Sequence, residues 1–307
     1  MNGLQHSLSE GEDNGKANII METIIQQIIN GLAVGSIYSL IAIAWCLLFS
    51  GLDLFNFALS EYLMIGAFVA ITLLSLQLPF PIAFLLAIAC IAVMAWLIDV
   101  SFLRRLRHAP HVITMIATVG LGVALKNAAI LIWGTEGAHF PSFFGEKGIP
   151  VMGVYIVPQN LWIFGIALFF MFAVYFFLYH STLGARVRAA AQLRTTAGLM
   201  GINVKTTDAI ITMIGGMSMV VGGILVAPIY YTEANMGNVV ALKGFAAAVL
   251  GGFGNLFGAM IGGLLLGLIE NLAVSYISSQ YLNIIAYLVL IFVLLLKPSG
   301  ILGKINR

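Results

Sequence analysis

The chain has 307 residues, 61% of them hydrophobic and only 8% charged, with 33 glycines besides and a mean hydropathy of +1.05. Soluble domains carry about 45–50% apolar residues with glycine counted in, so this composition excludes a soluble enzyme, a nucleic-acid-binding domain and a secreted disulfide scaffold. A net charge of +2 gives no reason to expect an acidic partner. A bilayer accommodates such a chain, because its core takes about 20 apolar residues per helical crossing.

In chain order, residues 1–22 form a polar tail without the apolar stretch of a cleavable signal, and are expected to be disordered. Thr23–Leu52 is long enough for one span. Tyr62–Ile98 is too long for one crossing, and Leu78-Pro79-Phe80-Pro81 divides it, since proline blocks helix continuation. Val112–Trp133, interrupted by Lys126, then Asn160–Tyr179 and Asp208–Ala227 supply further spans. From Lys243 to Leu296 the chain is apolar apart from Glu270, and its glycines predict at least one break before a final helix over Leu282–Leu296. The expectation is an all-α polytopic transmembrane helical bundle of about 8–9 spans including broken or re-entrant segments. Residues 23–303 form one transmembrane domain and 304–307 a short tail. Cys46 and Cys90 both lie in apolar runs, where a buried free thiol is expected.

The basic residues set the orientation. Arg104, Arg105 and Arg107 form one cluster, Arg186, Arg188, Arg194 and Lys205 a second, and Lys297, Lys304 and Arg307 a third. The positive-inside rule puts all three in the cytoplasm. Counting back through the spans then predicts an amino terminus outside and a carboxyl terminus inside.

Three features exceed what a simple anchor needs. Glycines 254, 258 and 262 recur every fourth residue, which on a helix makes a face for close packing. Gly251 and Gly252 predict a kink, and broken backbone at membrane depth belongs inside protein or beside a watery cavity. With Lys243 and Asn255 nearby, both packing and a translocation pathway are open readings. No Gly-Lys-Ser/Thr follows these glycines, so they are not a phosphate-binding loop. Second, residues 181–206 are the longest polar stretch on the predicted cytoplasmic side. Ser181 or Thr182 is placed to cap a helix from about Leu183, and Gly201-Ile202-Asn203 to stop the segment. It reads either as a solvated topological loop or as a surface for another protein. Third, Glu61, Lys126, Lys243 and Glu270 are ionisable groups within apolar regions, where charge normally faces a bundle interior or wet cavity. Their signs balance, so mutual pairing and a polar pathway are both open. The five histidines lack metal-ligand spacing, and no nucleophile motif occurs.

In order along the chain, Asn30-Gly31-Leu32-Ala33-Val34-Gly35-Ser36-Ile37-Tyr38-Ser39-Leu40, Asn56-Phe57-Ala58-Leu59-Ser60-Glu61, the segment with Gly184, Arg188, Ala189, Ala191, Ala197 and Leu199-Met200-Gly201-Ile202-Asn203, the block Lys243–Gly263, and Lys297-Pro298-Ser299-Gly300-Ile301-Leu302-Gly303 resemble the motifs of one family. It is the permease subunits of branched-chain amino-acid (LIV-type) ABC transporters, and the resemblance runs from about Met21 to Gly303. Three departures stand out. Leu59-Ser60 replaces the family's His-Gly, Phe257 replaces a common proline, and Leu193-Arg194-Thr195-Thr196 lacks an acidic residue often found there.

The resemblance implies a permease of the bacterial inner membrane that passes a hydrophobic or branched-chain amino acid inward. Relatives for urea, short amides or other amino acids are the alternative, and a stand-alone carrier or channel is the contrasting class. It implies no enzyme activity and no cofactor in this chain, ATP being bound by partner subunits. Those partners are a second homologous permease, two cytoplasmic ATPases and an extracytoplasmic solute-binding protein, within membrane lipid and without nucleic acid. Gly184, Arg186, Arg188, Ala189, Ala191, Ala197, Leu199, Met200, Gly201 and Ile202 would couple to the ATPase. Asn56, Glu61, Lys243, Gly251, Gly252, Gly254 and Asn255 would line the pathway.

Overall fold

The computed structural model describes residues 2–107, 109–141, 148–151, 154–276, 282–297 and 299–303. Among the described residues twelve helices follow one another: α1 Asn2–Leu52, α2 Leu59–Ser75, α3 Phe80–Ile98, α4 Arg104–Leu106, α5 His111–Trp133, α6 Pro158–His180, α7 Thr182–Gln192, α8 Arg194–Leu199, α9 Val204–Val226, α10 Met236–Gly251, α11 Leu256–Tyr276 and α12 Leu282–Leu296. A π-helical turn, Asp99–Leu103, joins α3 to α4, and a short antiparallel hairpin (β1 Ile149–Val151, β2 Val154–Ile156) precedes α6.

Among the described residues six helices are long and apolar enough to cross a membrane, and the shorter apolar α2, α10 and α12 complete an all-α polytopic bundle. The proline break falls where expected: Leu76–Pro79 turns the chain between α2 and α3. The apolar part of α1, Met21–Leu52, is buried along most of its length, as is α9, whereas α3, α5 and α6 expose most of theirs. Helices apolar all round belong at a centre, and α1 packs there against α6, α9, α10 and α11. Cys46 lies in this core, but Cys90 sits on the exposed outer face of α3.

Lipid offers little hydrophobic drive for helix association, so small residues that permit close packing carry it. On α1, a Cβ added at Gly35 would lie 2.9 Å from the Leu264 backbone of α11, and Gly267 packs directly on Gly35. Ser39 Oγ donates to the Met260 carbonyl at 2.6 Å, fixing the register of this pair.

Candidate translocation cavity and coupling face

The first half of the crossing after α1 is unwound. Asp53, at φ +50°, turns the chain back beside His111, with 3.7 Å between their side chains. The stretch then climbs along α5: Phe57 N donates to Thr118 Oγ1 at 3.2 Å, and α2 begins beside Gly122. His111 to Gly122 is about 16 Å of helix, so non-helical chain covers that depth before α2 takes over. Non-helical backbone inside a bilayer must be held by protein. Here Trp45, Phe49, Phe55, Phe245 and Phe253 pack around it, with ring centroids 4.8–6.4 Å apart. Asn56 is buried in the turn, its Oδ1 accepting from Ala58 N at 3.1 Å.

A cavity of about 200 Å³ opens over the start of α2, lined by Trp45, Phe57, Ser60, Glu61, Val119, Gly122, Val123, Lys126, Asn238, Ala241 and Leu242. Glu61 is 3% exposed. Ser60, at one of the departures from the family pattern, donates to Glu61 Oε1 at 3.2 Å, while Oε2 has no hydrogen-bond partner. Lys126 donates to Asn235 Oδ1 at 2.5 Å. The short helix α10 starts at the same level, its Gly237 against the Ser60 carbonyl, so two helix N-termini converge beside the cavity. Val119, Val123 and Leu242 in its lining are exposed, so the cavity reaches the outer face of the chain.

The other two membrane-depth charges are elsewhere and pair with each other, though Glu270 Oε2 has no hydrogen-bond partner. Lys243 of α10 points away from this cavity and is ion-paired with Glu270 of α11, both buried, with the Lys243 ammonium 5.7 Å from the centre of the Tyr38 ring. Gly251, Gly252, Gly254 and Asn255 form the turn between α10 and α11, far along α10 from Asn238. Gly252 (φ +103°) and Gly254 (φ +92°) supply its left-handed backbone. Gly254 precedes α11 and is therefore not on the helical face with Gly258 and Gly262, which pack against α10 itself. The closing segment docks on this turn: Ile301 N donates to the Leu250 carbonyl at 2.8 Å, Leu302 N to that of Gly251 at 3.2 Å, and Asn255 Nδ2 to that of Leu302 at 3.2 Å.

At the end of the bundle rich in arginine, Ser181 caps α7, accepting from Gly184 N at 2.9 Å. Gly184 is buried against the carbonyls of Phe177 and Leu178, and Arg188 lies 5.0 Å from the centre of the Tyr179 ring. Ala189 and Ala191 are half-buried, Ala197 is buried, and Arg186 is exposed. Gly201 (φ +82°) ends α8, with Ile202 N donating to the Ala197 carbonyl at 3.0 Å. The turn leaves Leu199 88% and Met200 80% exposed, with half-buried Ile202 following. Arg188, Ala191 and Gly254 share a cleft of about 450 Å³ beside the end of α1.

Sequence reasoning missed a charge network at this end. Asp99 accepts from Arg104 Nε at 3.0 Å and Arg107 Nη2 at 2.5 Å. Asp208 accepts from Arg107 and, at 2.6 Å, from Arg194 Nη2, whose Nη1 donates to the Gly51 carbonyl at 3.2 Å. The signal was available, since two acids at span ends stood close in sequence to the arginine clusters.

Residues 27–294 match the family model described as the permease component of branched-chain amino-acid transport systems. The chain belongs to this family. It is a transport permease rather than an enzyme. It is 35% identical over 296 residues to the high-affinity branched-chain amino-acid transport permease BraD of Pseudomonas aeruginosa, and 32% over 296 to LivH of Escherichia coli, covering 91% of this chain and 96% of each relative. The probable branched-chain permease LivH of Methanocaldococcus jannaschii is 29% identical over 273 residues, 81% of this chain and 82% of that one. No solved structure matches the permease. The expected pathway positions thus fall into three places: Asn56 and Glu61 by the unwound entry to α2, Lys243 in a closed ion pair, and the glycine turn beneath the closing segment.

Proposed function

We propose that the permease is the membrane-spanning subunit of an ABC importer carrying a branched-chain or similar hydrophobic amino acid across the bacterial inner membrane. The observation that carries this reading is the cavity at Glu61, which places charged and amide groups at membrane depth on the outer face of the chain. A half-buried ammonium beside a cavity that opens outward is too costly to leave against lipid, so a second, homologous permease covers this face and the solute passes between the two. The arginine-rich end is cytoplasmic, which puts the amino terminus outside and the carboxyl terminus inside. There Leu199 and Met200, apolar and exposed on a turn between helices, seat against one of two ATPase subunits. α7 and α8 then transmit its ATP-driven movement to the bundle, and an extracytoplasmic binding protein delivers the solute. The test is purification of the tagged chain from its native membrane in mild detergent, followed by reconstitution. Co-purification of an ATPase and a second permease, with ATP-dependent leucine uptake, is expected. A chain that comes out alone and moves solute down a gradient overturns the reading.

A further inference from the structure

We infer that the cavity over Glu61 is a subsite for an α-amino-acid zwitterion, in which the Glu61 carboxylate takes the ammonium of the solute and Lys126 takes its carboxylate. This rests on the permease reading and specifies how the pathway recognises its cargo.

Both charged groups are incompletely met by protein. Glu61 is 97% buried by the complement of its 3% exposure, yet its Oε2 has no hydrogen-bond partner. A buried anion without compensation is destabilising. Lys126 bonds Asn235 with one of its three donors and forms no ion pair with Glu61, although both line the same cavity. The contrast with Lys243 and Glu270 lies in the ion pair alone: Glu270 Oε2 likewise has no hydrogen-bond partner, but there opposite charges close on each other, while here a space separates them. A third group fits the same pattern, the Trp45 indole N–H, buried and without a partner in the cavity wall.

The space is about 200 Å³. Cavities for drug-sized ligands hold about 300–1,000 Å³, so this one suits a solute of amino-acid size. Its remaining walls, Trp45, Phe57 and Leu242 among them, are apolar and match an aliphatic side chain. The start of α10, at Asn238, adds amide donors and the positive end of a helix dipole on the side that receives the carboxylate. A neutral amide such as urea would leave both charges uncompensated, and such unpaired groups select against it.

The test uses the permease with its co-purifying permease and ATPase partners, without the binding protein, and reads thermal unfolding against four probes. L-leucine carries both charges, isopentylamine lacks the carboxylate, isocaproate lacks the ammonium, and isocaproamide has neither charge. Leucine is expected to stabilise the wild type at concentrations at least about tenfold below the other three, as a charged hydrogen bond dictates. In Lys126→Met the leucine response should fall to that of isopentylamine, and in Glu61→Gln to that of isocaproate, with the matching analogue unchanged in each. Equal wild-type responses to leucine and isocaproamide overturn the subsite, whether or not either variant assembles. So does a variant that loses response to all probes alike, or to none. Leucine uptake by reconstituted wild-type complex is measured in parallel: if that fails the permease reading falls, and if it succeeds while the melts show no charge pattern, only the subsite falls.

Discussion

The ammonium of Lys243 and the carboxylate of Glu270 meet inside the bundle, one on each arm of the α10–α11 hairpin, and both are buried. Their pairing settles a charge that neither lipid nor an apolar neighbour could hold. Removing one partner strands the other, at a cost of about 3–5 kcal/mol. Lys243→Met should therefore lower the yield of folded permease and its melting temperature sharply. The double variant Lys243→Met with Glu270→Leu should recover most of that loss. Equal stability of single and double variants would mean that the pair is not the stabilising unit.

Gly201 holds φ +82° with open space where a Cβ would stand. A side chain there meets no neighbour, so the cost is confined to left-handed backbone, about 1–2 kcal/mol for ordinary residues and less for asparagine. Gly201→Val should leave insertion and folding intact but disturb the turn that presents Leu199 and Met200, separating ATP hydrolysis from uptake. Gly201→Asn should transport nearly as the wild type does. Unchanged coupling in the valine variant would remove this turn from the ATPase contact.

Asp208 accepts from both Arg107 and Arg194. Losing hydrogen bonds to charged groups costs about 1.5–3 kcal/mol each, so Asp208→Asn should free α8 from α9. Hydrogen exchange should then rise in residues 193–207 while the α1–α11 pair stays protected. Unaltered exchange in that peptide would show that α8 is held by its apolar contacts alone.

At Gly252 the left-handed backbone coincides with the docked closing segment: a Cβ there would fall 2.5 Å from Gly303 N. Gly252→Ala should expel residues 299–303 from the α10–α11 turn. Faster hydrogen exchange at the Ile301 and Leu302 amides, compared with the wild type, is the check.

Much of the architecture was legible because hydropathy and proline placement act locally. The span ends at Leu52, Ile98 and Trp133, the proline turn at Leu78–Pro81 and the Ser181 cap follow from such local chemistry, whereas α1 starts back at Asn2 and α10 at Met236, earlier than hydropathy placed either helix. Partners in space were not legible. Glu61, Lys126, Lys243 and Glu270 stood in sequence as a balanced set, yet pairing applied to one couple and a shared cavity to the other. That outcome depends on how deeply α2 begins, which is set by the non-helical run from Asp53 to Ala58 rather than by any residue's own preference. The closing Lys-Pro-Ser-Gly segment and the Gly251–Asn255 turn were each visible as a motif. Their contact joins residues nearly fifty apart and leaves no periodic trace.

The Arg194 guanidinium grips the last turn of α1 through the Gly51 carbonyl and the second turn of α9 through Asp208. These are the two spans most enclosed by the bundle. A single side chain on a surface helix is thus rigged to the two central masts. Under the proposed coupling, a tug on α8 would load both at once through this one guanidinium.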